Sequence, residues 1–67
     1  MLTFLAVDYD GSHTDLFVEA ENIIGFREPL PLDPPGSEHA NAVLLLRGGH
    51  QAFVEDYTSD VLVRLEG

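Results

Sequence analysis

Three histidines, three serines and a string of aspartates are the side chains in this sequence that could hold a metal or attack a substrate. Asp8-x-Asp10-Gly11, followed by Asp15, looks like a fragment of a calcium loop. Such a loop needs oxygen ligands at positions 1, 3 and 5, glycine at 6 and glutamate at 12. Setting Gly11 at position 6 puts Ala6 at position 1 and Phe17 at position 12, so the pattern fails. The same residues make a good hairpin turn, because Asp-Gly between alternating strands suits a two-residue type I′ connection.

His13, His39 and His50 lack the i, i+4 spacing of helical metal ligands, and no cysteine accompanies them. His13 and His50 each follow a turn signal. They are the metal candidates if the two hairpins share an end of the sheet; otherwise they are solvated turn residues. Ser12, Ser37 and Ser59 lie in turns or near a helix start, outside any nucleophile elbow. Small-molecule sites typically occupy about 300 Å³ or more, and so short a chain has little interior to spare once its core is filled. The expectation is a non-enzyme without a cofactor. Pro31-Leu32-Asp33-Pro34 fits PxxP, but Glu28, Asp33 and Glu38 stand where polyproline ligands usually carry basic residues.

Twelve carboxylates face three arginines and no lysine, for a net charge of −9. Affinity for nucleic acid rests on Lys and Arg neutralising phosphates, so nucleic acid and anionic membrane surfaces are not expected partners. The charge favours solubility, or a basic protein partner. No segment approaches the roughly 18 apolar residues of a membrane helix, and Met1–Val7 lacks the basic region of a signal peptide, so a cytoplasmic protein is expected. A chain of 67 residues is one small domain. It buries only about 60% of its unfolded surface, and without cysteines it must rely on packing or on a partner subunit.

Those side chains must be positioned by the following elements. Leu2–Asp8 reads as a strand apolar on both faces. Thr14–Ala20 alternates, with Leu16, Val18 and Ala20 inward and Asp15, Phe17 and Glu19 outward. Ile23–Glu28 is a third strand, in which Ile24 and Phe26 share a face and Gly25 marks a bulge or bend. Pro29–Asn41 holds all four prolines and reads as a long loop, either pinned to the core through Leu30 and Leu32 or displaying them to a partner. Ala42–Arg47 reads as the central strand, Gly48-Gly49 as a tight turn, and Gln51–Glu55 as the returning strand with Phe53 on its own face. A helix follows, capped by Asp56 or Thr58 and running to about Leu65, with Val61, Leu62 and Leu65 as its buried stripe. The expected fold class is mainly β: a small antiparallel five-stranded meander or curled sheet with one short C-terminal helix.

The string Glu21–Glu28, then Val43–Gly49, then Val54-Glu55-Asp56 leading into Val61–Leu65, resembles the small flagellar-operon proteins of the FlbD type. The strand–helix arrangement is also similar to part of LytTR-type DNA-binding domains, whose basic residues are missing here. The resemblance implies an architecture of short strands, a glycine turn and a C-terminal helix, and brings no functional residue with it. The function expected from the residues is a non-catalytic protein-interaction or adaptor module, binding another protein or a second copy of itself. Phe17, Phe53, Leu30, Leu32, Pro31 and Pro34 are its candidate contacts. The alternatives are an acidic mimic of nucleic acid using Asp15, Glu19, Glu21, Glu28, Glu55 and Asp56, and a metal protein using the histidines.

Overall fold

The computed structural model describes residues 1–34 and 37–67; Pro35 and Gly36, in the middle of the expected Pro29–Asn41 loop, lie outside the described residues. Five strands, β1 (Leu2–Val7), β2 (His13–Val18), β3 (Ile23–Arg27), β4 (Ala42–Leu46) and β5 (His50–Val54), form one antiparallel sheet, and a helix, α1 (Thr58–Glu66), ends the chain. The expected fold class is the one observed. The order across the sheet is β2-β1-β5-β4-β3, so β5 rather than β4 is the middle strand. Every ladder is antiparallel, and β1 meets β5 at Ala6 and Val54.

This order forces the sheet to curl. A flat five-stranded sheet would hold its outer strands about 19 Å apart. The outer strands here, β2 and β3, are joined by only Glu19–Asn22, of which Ala20–Asn22 form a 3₁₀ turn. With about 2 Å of rise per 3₁₀ residue, that connection reaches roughly 13 Å. The two edges must therefore approach each other, and the interior of the curl becomes the core. Phe4, Val18, Ala42, Leu44 and Val54 fill it, and Val61 of α1 closes it. The radius of gyration, 11.0 Å, is that of a compact chain of this length.

Several local expectations change. Both hairpin loops are one residue longer than expected. Asp8 N–H donates to Ser12 O and Gly11 N–H to Asp8 O, so the β1–β2 ladder runs on to Asp8 and Ser12 and three residues close the loop between them, with Gly11 at φ +85°. Only glycines have positive φ among the described residues, so Asp10 is not in the left-handed conformation that a type I′ turn demands. The second loop, Arg47–Gly49, places both glycines at positive φ and sets Leu46 opposite His50. In β3 the register slips between Ile23 and Gly25. The bulge expected at Gly25 is there, and its consequence was not foreseen: Ile23 and Phe26 face the core while Ile24 is 64% exposed. Ala20, expected inward on β2, is exposed in the 3₁₀ turn. In α1, Val61 is buried and Leu65 packs on the core, but Leu62 is exposed. The first turn holds Asp60 and the last Arg64, the polarity that suits the helix dipole.

The helix cap is a larger correction. Tyr57 is the N-cap residue and supplies no side-chain cap. Asp56 is occupied elsewhere. Its Oδ1 accepts from Leu5 N–H at 3.1 Å, and its Oδ2 lies 3.3 Å from the Arg64 guanidinium. Arg64 in turn donates to Thr3 O and sits 5.0 Å over the Phe4 ring. This clasp ties β1 to the helix across the mouth of the curl.

Candidate functional site

The loop after β3 is built around one ion pair. Arg27, at the end of β3, grips Asp33 with two parallel bonds, Nη1 to Oδ2 at 3.0 Å and Nη2 to Oδ1 at 2.9 Å. The same carboxylate accepts from Leu30 N–H at 2.6 Å, and Asp33 N–H returns to Leu30 O at 3.0 Å. The guanidinium and the Leu30 amide both favour the anion, so the Asp33 carboxyl is held below its ordinary range and the Arg27 guanidinium is raised. Ser37–His39 then form a 3₁₀ turn, and Ala40 is buried beside β4.

The loop is therefore fixed by Asp33, and neither leucine pins it to the core. Leu30 is 56% exposed and Leu32 98%. Pro31 and Pro34 are exposed as well. Together with Tyr57, at the foot of α1, the loop frames an open hollow of about 690 Å³ lined by Pro29, Leu30, Pro31 and Pro34, with Glu28 and Glu38 among its carboxylates. Little space was expected beyond the core. The hollow lies between the loop and Tyr57, outside the core.

The outer face of the sheet carries the other candidates. Reading the registers across, His13, Val7, Phe53, Val43 and Arg27 form one row. Phe53 is half-buried in that row, less available than its alternation suggests, and Val43 beside it is fully buried. Phe17 is 62% exposed on β2, where the sequence places it.

The nominated carboxylates do not share one environment. Glu55 accepts from His13 at 2.7 Å, and Glu19 lies 3.8 Å from the N-terminal amine. Asp56 belongs to the clasp, with a side chain only 15% exposed, and does not contribute to an open acidic surface. Asp15, Glu21 and Glu28 are exposed.

His13 and His50 are not joined in a ligand set. His13 faces Glu55, and His50 lies beside Gly48 at the start of β5. Among the described residues no group of three or more His, Asp or Glu side chains could hold a metal ion. His39, which the sequence left without a role, packs on the β1–β2 loop, where a Cβ on Gly11 would lie 3.4 Å from its Nε2. Ser12 supports that loop, its hydroxyl donating to Asp10 at 2.6 Å; this bond and the Ser12 N–H hold the Asp10 carboxyl below its ordinary value. Among the described residues no helix is long and apolar enough to cross a membrane.

Sequence reasoning missed Tyr57 as a wall of the hollow and Asp33 as its anchor. The signal for Asp33 was present: an arginine ending a strand and an aspartate six residues later in a Pro-rich turn. No protein-family model, curated protein or solved structure matches the chain.

Proposed function

We propose that the chain is a small non-catalytic module that binds another protein in the cytoplasm. One observation carries this reading: a loop held in place by a bidentate ion pair presents Leu30 and Leu32 to solvent. Exposed apolar side chains on a mobile loop need no explanation. Fixing them in the exposed position removes their conformational freedom before binding, which lowers the entropic cost of association. Pro31 and Pro34 stiffen the same surface, and Tyr57 adds a large amphipathic side chain of the kind enriched in protein interfaces.

Photo-crosslinking tests the reading. A photoreactive residue placed at Leu32, and separately at Phe17, should give a discrete adduct in source cells. For Leu32 the adduct should disappear when Leu30→Ser is added. No adduct at either position would overturn the proposal. Light scattering at micromolar concentration then separates a second copy of the chain from a different protein.

A further inference from the structure

The sheet has two edges, and they are not equivalent. The β3 edge is interrupted by the bulge at Ile23/Gly25 and lies beside α1, which contacts it. A bulge and a covering helix are standard protections against strand addition. The β2 edge has neither. Its six residues, His13–Val18, pair with β1 in unbroken register and contain no proline, glycine or lysine.

The hydrogen bonding fixes which groups are free. Leu5 directs its N–H to Asp56 and its C=O to Glu55 N–H, both on the β5 side. The bonded pairs on the β2 side are therefore Phe4 with Leu16 and Ala6 with Thr14, since bonded and non-bonded pairs alternate in an antiparallel ladder. It follows that His13, Asp15 and Phe17 aim their N–H and C=O groups at the open edge. Among the described residues none of these groups has a partner. The same three side chains are exposed on the outer face.

Resting on the reading of the chain as a protein-binding module, we propose that β2 receives an extended segment of a partner protein as a sixth strand, and that this segment is basic. Main-chain bonds to His13, Asp15 and Phe17 would supply the affinity, and a cation facing Asp15 with an apolar side chain over Phe17 the selectivity. Charge complementarity chooses this occupant. The chain carries −9, and its three arginines are committed elsewhere: Arg27 to Asp33, Arg47 to Glu21 O and Arg64 to Asp56. A second copy brings no arginine or lysine to the edge. Two-fold pairing that keeps the faces together sets Asp15 against Asp15 when centred on that residue, and against Glu19 when centred on Phe17. Like charges directly opposite are destabilising. Centring on Leu16 sets Asp15 against Phe17, again without a cation, and centring on Thr14 sets it against His13, which is already engaged with Glu55 at 2.7 Å. Asp15 thus gains little from self-pairing while favouring a basic strand.

The N-terminus allows a direct test. The Met1 amine lies 3.8 Å from Glu19, just beyond the end of β2. A nine-residue probe with Thr at its core-side positions and Lys alternating with Val along its outer face, fused ahead of Met1 through a flexible Gly/Ser linker of roughly ten residues, would reach the edge at millimolar effective concentration. Amide exchange at His13, Asp15 and Phe17 should slow at least tenfold relative to the unfused chain, and a probe with Glu in place of Lys should give no slowing. In Asp15→Lys the preference should weaken or reverse. Equal protection by both probes, or none by the Lys probe, overturns the proposal. If that happens while crosslinks at Leu32 persist, the edge proposal falls and the binding module stands.

Discussion

Asp56 supplies the sharpest test of how this small domain is held closed. Its two oxygens act separately: one accepts from Leu5 N–H, the other faces Arg64. Two substitutions divide these roles. Asp56→Asn keeps an acceptor for Leu5 and loses only the charge facing a guanidinium that is 41% exposed. An ion pair so open to solvent contributes about 0.2–1 kcal/mol. Asp56→Ala also strands the Leu5 N–H, and an unsatisfied backbone donor away from water costs about 1–3 kcal/mol. The alanine variant should therefore lose roughly 2–3 kcal/mol and the asparagine variant less than about 1. A domain of this length has a total of about 3–10 kcal/mol to lose.

Urea unfolding followed by circular dichroism reads the difference. With a slope of about 1 kcal/mol per molar for so small a chain, the alanine midpoint should fall by about 2 M and the asparagine midpoint by less than 1 M. Native-state exchange adds a local readout, in which the Leu5 amide stays protected in Asp56→Asn and loses protection in Asp56→Ala. Equal midpoints for the two variants would refute the division of roles. A shift below about 0.5 M for alanine would refute the clasp itself.

Three further outcomes follow from the geometry. Gly11→Ala and Gly49→Ala should destabilise to a similar extent in thermal melts: both force a side chain into positive φ, at about 1–2 kcal/mol, and the new Cβ at Gly11 reaches His39 only at an ordinary contact distance of 3.4 Å. Ile24→Ala should change stability by less than about 0.5 kcal/mol, as for an ordinary surface position, whereas Phe26→Ala should cost about 3 kcal/mol, since the bulge turns only Phe26 to the core. For Asp33, the folded pKa is lowered from the ordinary 3.8, so its contribution is fully present above that value and lost only as pH falls through the lower folded pKa. The Leu30 amide resonance should stay constant from neutral pH to about pH 5 and move only below the ordinary aspartate range; a midpoint at or above 3.8 would contradict the ion-pair geometry.

The strands and helix were legible because their signals are local. Alternation found β2, a two-faced apolar run found β4, and a glycine inside a strand announced the bulge in β3. Period-2 reasoning then failed one step later. A bulge adds a residue, so every side chain before Gly25 changes face, and Ile24 moves to solvent while Ile23 takes its place. Asp56 failed for another reason. An aspartate two residues before a helix looks like a cap, and its actual partner, Leu5, is 51 residues away. Nothing in the local pattern encodes a contact created by the curl of the sheet. The hollow was hidden for the same reason, since it is bounded by Tyr57 as well as by the loop that precedes β4.

The three arginines reveal what the acidity leaves available. Each sits at a junction that strand pairing alone cannot hold. Arg27 ties down the loop after β3, Arg47 reaches the carbonyl of Glu21 in the β2–β3 connection, and Arg64 locks the helix to β1. With no lysine, the chain has no further side-chain cation fixed in charge to offer its carboxylates. Structural need has consumed the positive charge, so the surplus at Asp15, Glu21 and Glu28 cannot be neutralised from within except by histidine protonation. A second copy would double that surplus, at a cost that grows as ionic strength falls. A basic partner would remove it. On the proposed reading, affinity for a basic partner should weaken as salt is raised, while any self-association should strengthen.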